Sequence, residues 1–141
     1  MTEVTETKRK YDKPLPAVTE LNAPFWAGTR DGELRLQACQ ACGQRWFPPA
    51  GRCSQCLSTD YSWTPVSGRG RVWSWIIMHQ RYFKSFEADL PYKVIMVELD
   101  EGPLITGAMA DAAAEIRCDM PVRVTFEAAT EEMSIPKFIP A

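Results

Sequence analysis

Two C-x-x-C pairs, Cys39-Gln-Ala-Cys42-Gly43 and Cys53-Ser-Gln-Cys56, stand ten residues apart in the first half of the chain. A tight turn can aim both sulfurs of a pair at one point, and a hairpin between the pairs can bring all four together. Backbone N–H groups at such turns take up thiolate charge, and Gly43 suits the first turn. The pattern predicts one tetrahedral site made by Cys39, Cys42, Cys53 and Cys56. Four soft anionic ligands leave no open position for water or substrate, so the expected metal is a structural zinc and not a catalytic one. An iron centre of rubredoxin type shares this ligand set, and metal analysis separates the two. Two disulfides or unliganded thiols are the alternatives, and the spacing favours the metal.

Few other residues suggest chemistry. His79 is the sole histidine, and no serine or cysteine nucleophile is paired with it by any motif. A catalytic dyad needs a base and an orienting group in mutual reach, so a surface or barrel-rim position is expected for it. Cys118, in Ile116-Arg-Cys-Asp119, has no sequence partner and reads as a small buried thiol. The chain carries no phosphate-binding loop, no dinucleotide fingerprint and no carboxylate cluster of metal-site type, so neither catalytic residues nor an organic cofactor is expected. Gln80-Arg81-Tyr82-Phe83-Lys84-Ser85-Phe86 interleaves cations and aromatics in an inter-strand loop. These could stack on a flat base and meet phosphates, or cap the barrel mouth or a subunit contact. Arg69 and Arg71 carry the same two readings.

The 141 residues allow one ordinary domain, or a compact domain with a small appended module, and the second is expected here. No stretch approaches the roughly 18 unbroken apolar residues of a membrane span. Met1 to Lys13 is polar, without the apolar region of a secretory signal, and reads as neither a leader nor an ordered element. With four of five cysteines in close pairs, a reducing, cytoplasmic setting is expected. Formal net charge is −2, and from Tyr61 onward eight basic residues face eleven acidic ones, which disfavours nucleic acid.

These residues must be positioned by a small set of elements. Pro14 and Pro16 keep the backbone extended. Asn22 is placed to cap a helix with Pro24 early in it, ending near Gly28 to Gly32. Its Phe25-Trp26 pair suits intramolecular packing or an anchor for a partner protein. Leu34 to Gln37 alternates as a strand should, Arg45 to Phe47 leads away from the first cysteine pair, and Pro48-Pro49 ends that strand. Five β-type runs follow: Tyr61 to Val66, Arg71 to His79, Tyr92 to Leu99, Leu104 to Met109 and Val122 to Ala128. Asp111 to Ile116 allows one short helical turn between the last two. The expected fold is mainly β: a tail and N-terminal helix over 1–36, a zinc ribbon over 37–60, and a five-stranded OB-fold barrel over 61–141.

At these residues the chain resembles the family first catalogued as domain of unknown function 35. The matching pieces are Asn22 to Trp26, Leu34 to Cys39, Cys42-Gly43, Phe47-Pro-Pro49, Cys53 to Cys56, Ser67-Gly-Arg-Gly70, Pro91-Tyr92 and Val97 to Gly102. Gly-Met-Pro-Val, usual in that family before the last long strand, reads Asp119-Met-Pro-Val122 here. The resemblance implies a non-catalytic partner of thiolase-fold enzymes acting on acyl-CoA: thiolases, lipid-transfer-protein-like aldolases of steroid side-chain breakdown, or polyketide-type acyltransferases. Hydratase partners also occur. It implies that Arg69, Arg71, Tyr82, Phe83, Tyr92 and Lys93 are candidates for contact with acyl-CoA or with the partner. A nucleic-acid-binding OB protein and a self-sufficient acyl-CoA enzyme are the competing readings.

Overall fold

The computed structural model describes residues 11–141, so the expectation for the first ten residues of the tail lies outside the described residues. Tyr11 to Leu21 forms neither helix nor strand, yet it is fastened at Lys13, whose Nζ lies 3.0 Å from Asp89 and 5.4 Å from the Phe86 ring centroid. Helix α1 (Ala23–Arg30) follows. The side chain of Asn22 does not cap it, contrary to expectation. Its Oδ1 accepts the Thr19 N–H at 2.7 Å and its Nδ2 donates to the Ala17 carbonyl, so it pins the incoming turn instead.

Phe25, Gly28 and Thr29 form the buried side of α1. The Phe25 ring, 4 % exposed, meets Trp26 edge-on at 4.9 Å and Phe47 at 5.5 Å. Burial of such a ring contributes about 1.5–3 kcal/mol. Thr29 joins this helix to the far end of the chain: its Oγ1 donates to the Trp26 carbonyl at 2.7 Å and accepts the N–H of Ser134 at 3.1 Å.

Strands β1 (Leu34–Cys39), β2 (Arg45–Trp46) and β3 (Tyr61–Val66) form an antiparallel sheet in the order β2-β1-β3. This corrects the expected assignment of Tyr61 to Val66, which was read as the first barrel strand. It pairs along its whole length with β1, from Leu34↔Val66 to Cys39↔Tyr61. Pro65 is tolerated because β3 is an edge strand.

The barrel still has five strands: β4 (Arg69–Met78), β5 (Tyr92–Leu99), β6 (Leu104–Met109), β7 (Pro121–Ala128) and β8 (Ser134–Pro140). They close in the order β4-β5-β6-β8-β7, with β6 and β8 parallel and the other pairs antiparallel. The closing strand is β8, at the chain's C-terminal end. The short helix is also displaced from its expected place. Asp111 to Ile116 is irregular, its Ala114 and Ile116 packing against the core, whereas a 3-10 helix forms at Lys84–Asp89 between β4 and β5. Gly70 allows β4 to approach β5, since a Cβ there would lie 2.3 Å from the Glu98 carbonyl oxygen.

One apolar core runs through all three parts. Phe25 from the helix and Leu34 and Leu36 from β1 pack with Val72, Ile95, Val97, Leu99, Val122 and Phe138 of the barrel. A second cluster at the other end of the ribbon holds Cys39, Cys53 and Trp46, with Tyr61 and Ala50 against it.

Candidate metal centre and contact surfaces

The two cysteine pairs are built alike. In the first, Gly43 N–H donates to the Cys39 carbonyl and Cys39 N–H to the Gln44 carbonyl; in the second, Leu57 N–H donates to the Cys53 carbonyl and Cys53 N–H to the Ser58 carbonyl. The residue after each second cysteine turns left-handed, Gly43 at φ 80° and Leu57 at φ 65°. Both turns direct N–H groups at sulfur: Ala41 and Cys42 at Cys39 Sγ, and Gln55 at Cys53 Sγ, each at 3.4 Å. The arm between the pairs is clamped by Gln37, which is fully buried. Its amide donates to the Ala50 carbonyl at 2.7 Å and accepts the Ala50 N–H at 2.9 Å, as a neighbouring strand would.

The four sulfurs lie within 4.8 Å of one another, with Cys39–Cys56 at 3.5 Å and Cys42–Cys53 at 3.6 Å. A Zn–S bond of about 2.3 Å gives tetrahedral S···S edges of about 3.8 Å, so the cluster fits zinc. Its electrostatics also call for a cation. The Cys42 N–H leads in drawing Cys39 down to about 6, and the Cys56 N–H leads in lowering Cys53. The Gln44 N–H favours a Cys42 thiolate, but burial and the adjacent thiols push Cys42 up to about 12. Cys56 likewise rises, although the Ser58 N–H opposes it, because Cys39 and burial act the other way. Four thiolates do not coexist here unaided, and a divalent ion removes that conflict.

The remaining candidates do not form one site. Arg71 is held by Glu98 at 2.6 Å and faces Asp119 at 3.6 Å. The cleft beside it, about 450 Å³, is lined by Gly70, Arg71, Glu98, Leu99, Asp100, Asp119 and Pro121, which makes it acidic. Lys93 donates its Nζ to the Ala114 carbonyl at 2.5 Å, and Tyr92 stacks on Phe86 at 5.6 Å. Both are engaged within the chain. Arg69, Tyr82 and Phe83 are exposed, and His79 lies exposed just past β4. Cys118 is exposed, not buried as expected. Phe25 sits in the core, where it cannot anchor a partner, and Trp26 is half-buried against that core.

A different surface emerges on β4. Its pairing with β7 stops at Arg71, and the Val72 backbone bonds to Asp119 and Met120 extend it by one step. The register to β5 then shifts between Val72 and Ser74. Beyond this bulge, among the described residues, Trp73 to Met78 has β5 on one side and no strand on the other. Both faces are open: Trp73 is 54 % and Ile76 56 % exposed, with Trp75 and Ile77 beside them, and Tyr82 and Phe83 lie exposed just beyond. The sequence signal for this surface is Trp73-Ser-Trp-Ile-Ile-Met78, which carries no charge and lacks the apolar–polar alternation of a half-buried strand.

A four-cysteine ribbon rooted in the core of a closed five-stranded Greek-key barrel defines the class, a zinc-ribbon OB-fold protein. The family model for the ChsH2 rubredoxin-like zinc ribbon domain matches residues 26–62, and that for the ChsH2 C-terminal OB-fold domain matches residues 63–127. The chain belongs to this family, the DUF35 proteins. It is 32% identical, over 67% of its own length and 67% of the relative's, to a DUF35 domain-containing scaffold protein of Methanocaldococcus jannaschii. It is 36% identical over 99% of its length to a probable enoyl-CoA hydratase alpha subunit of Thermomonospora curvata, of which it spans 44%. Among solved structures, the Ltp2-ChsH2(DUF35) aldolase superposes with a TM-score of 0.79 at 32% identity, covering 89% of this chain and 98% of that one.

Proposed function

We propose that this protein is a non-catalytic accessory subunit that docks on a thiolase-fold enzyme, of thiolase or steroid side-chain aldolase type, acting on acyl-CoA. The observation that carries the reading is the uncharged apolar surface of β4 beyond its bulge, with four large side chains open to solvent. Contiguous exposed apolar surface on a sheet edge is characteristic of protein contact. The relatives' descriptions as a scaffold protein and as part of an aldolase complex support the partner class. The zinc is proposed to be structural, held by Cys39, Cys42, Cys53 and Cys56 in a cytoplasmic protein. Tyr82 and Phe83 remain candidates for partner or acyl-CoA contact, whereas Arg71 and Lys93 are already satisfied internally. Paired cations and an acidic cleft speak against a phosphate-tracking nucleic-acid groove.

Coexpression with a candidate thiolase-fold subunit, followed by size-exclusion chromatography and an acyl-CoA cleavage assay, tests this reading. A stable complex with turnover by the mixture and none by this chain alone is expected. Turnover by the isolated chain overturns it. A second reading, an accessory subunit of an acyl-CoA hydratase, is favoured by the similarity to the hydratase alpha subunit over nearly the whole chain. Hydration of an enoyl-CoA by the complex, in place of carbon–carbon cleavage, would select it.

A further inference from the structure

The connection between β4 and β5 carries Tyr82 and Phe83 just beyond the exposed end of β4. Little within it holds its shape. The 3-10 helix at Lys84–Asp89 buries no residue, and its hydrogen bonds are local: Phe86 N–H donates to the Phe83 carbonyl at 3.0 Å and Leu90 N–H to the Glu87 carbonyl at 3.4 Å. The ion pair of Arg81 with Glu87, at 3.3 Å, lies inside the same segment, and both side chains are more than half exposed. A segment with few buried contacts and only local bonds opens at little cost in free energy.

Two outside contacts hold it. On one side Phe86 stacks on Tyr92 of β5 at 5.6 Å, and Phe83 meets Phe86 at 6.3 Å. On the other, the segment preceding α1 reaches over: Lys13 Nζ lies 3.0 Å from Asp89 Oδ2, 5.4 Å from the Phe86 ring centroid and 5.8 Å from that of Tyr11. Among the described residues this is the only ion pair between the connection and another part of the chain. An ion pair on open surface contributes little, but the Lys13 side chain is only 17 % exposed, and an ammonium withdrawn from water against ring faces is held more firmly. Tyr11 is half-buried, and burial first, then the Glu127 carboxylate, holds its phenol above its ordinary value, so the same segment also lies near β7.

We propose that Lys13 is a positioning residue: by strapping Asp89 and Phe86 it holds the β4–β5 connection in the shape that presents Tyr82 and Phe83 to the partner enzyme. This role rests on the docking proposed above, whereas the strap itself is a property of the free chain.

The test compares the full, zinc-loaded chain with Lys13→Gln, Asp89→Asn and Lys13→Arg, by backbone amide relaxation of the free proteins and by their affinity for the coexpressed thiolase-fold subunit. Lys13→Gln and Asp89→Asn should lower the order parameters of Tyr82 to Asp89 from about 0.85 to below about 0.6, while Ile95 and Val97 stay rigid. Affinity for the enzyme should fall about 3-fold or more, because only the fraction of chains with the connection in place binds. Lys13→Arg keeps the charge, the carboxylate contact and the ring contact, and should hold both readouts at the wild-type level. Unchanged order parameters in a folded Lys13→Gln chain overturn the strap, and that measurement needs no partner. A loosened connection with unchanged affinity overturns the positioning role and leaves β4 as the docking surface. A wild-type chain that binds no thiolase-fold enzyme overturns the docking reading and the positioning role together, while the order parameters still decide the strap.

Discussion

Leu57 occupies, in the second cysteine turn, the left-handed position that glycine holds in the first, at φ 65° and largely exposed. A leucine there gains no packing to offset the strain of about 1–2 kcal/mol that L-residues incur in this region. Leu57→Gly is therefore expected to raise stability by about 1 kcal/mol, the unfolded-state entropy of glycine taking back part of the gain. Thermal unfolding of the zinc-loaded protein checks it, and a lowered midpoint would contradict it. The opposite change, Gly43→Leu, should cost a similar amount at the first turn. Gln37 acts by a different route. Its buried amide makes two hydrogen bonds to Ala50, so Gln37→Leu leaves the part-buried Ala50 N–H and carbonyl without these partners, at a total cost of about 1–3 kcal/mol. The expected result is faster zinc release to a chelator, with the barrel intact. In the sequence the four cysteines announced themselves by spacing alone. Gln37 did not, because its role depends on what lies across the ribbon from it and not on its chain neighbours.

Among the elements, β4 carries two duties in one run of ten residues. Up to Val72 it is a barrel strand with alternating burial, Gly70 and Val72 inward and Arg69 and Arg71 outward. After the bulge its side chains are exposed on both faces, and this is the surface proposed to dock the partner enzyme. Ile76→Lys should then leave the unfolding midpoint nearly unchanged while weakening partner association by about 10-fold or more, since truncating or charging a central apolar contact commonly costs over 1.4 kcal/mol of binding. Light scattering on the mixed subunits measures it, and full association by a folded Ile76→Lys chain would remove this strand from the interface. The elements also show where sequence pattern stops. Four of the five barrel strands are visible from composition, and the expected count of five holds only because Tyr61 to Val66 stands in for Ser134 to Pro140. Which strand belongs to which sheet is not visible there. Tyr61 to Val66 reads like any half-buried strand, and its pairing with β1 depends on the cysteine arms folding back between them. Ser134 to Pro140, with two prolines, reads as a poor strand, yet it closes the barrel parallel to β6 and antiparallel to β7.

At the scale of the whole molecule, the two apolar clusters divide the ribbon. Leu34 and Leu36 at one end of β1 belong to the barrel core, while Cys39 at the other end belongs to the metal cluster with Trp46 and Cys53. The outer end has few other means of staying ordered: β2 is two residues long, and the loop carrying the second pair forms no strand. Metal ligation must replace a core there, as it does in small zinc modules that unfold when stripped of the ion. The barrel, closed by its own hydrogen-bonded ladder, does not depend on it. Chelation is therefore expected to unfold the molecule in part. Amides at Ala41, Cys42 and Gln55, together with those of β2, should lose hydrogen-exchange protection, while those at Ile95 and Val97 in β5 keep it. Restoring zinc should restore the lost protection, because the apolar half of β1 stays docked and presents Cys39 in place. Uniform loss of protection through β5 would mean that the ribbon and barrel form one cooperative unit, and that the metal holds up the entire fold.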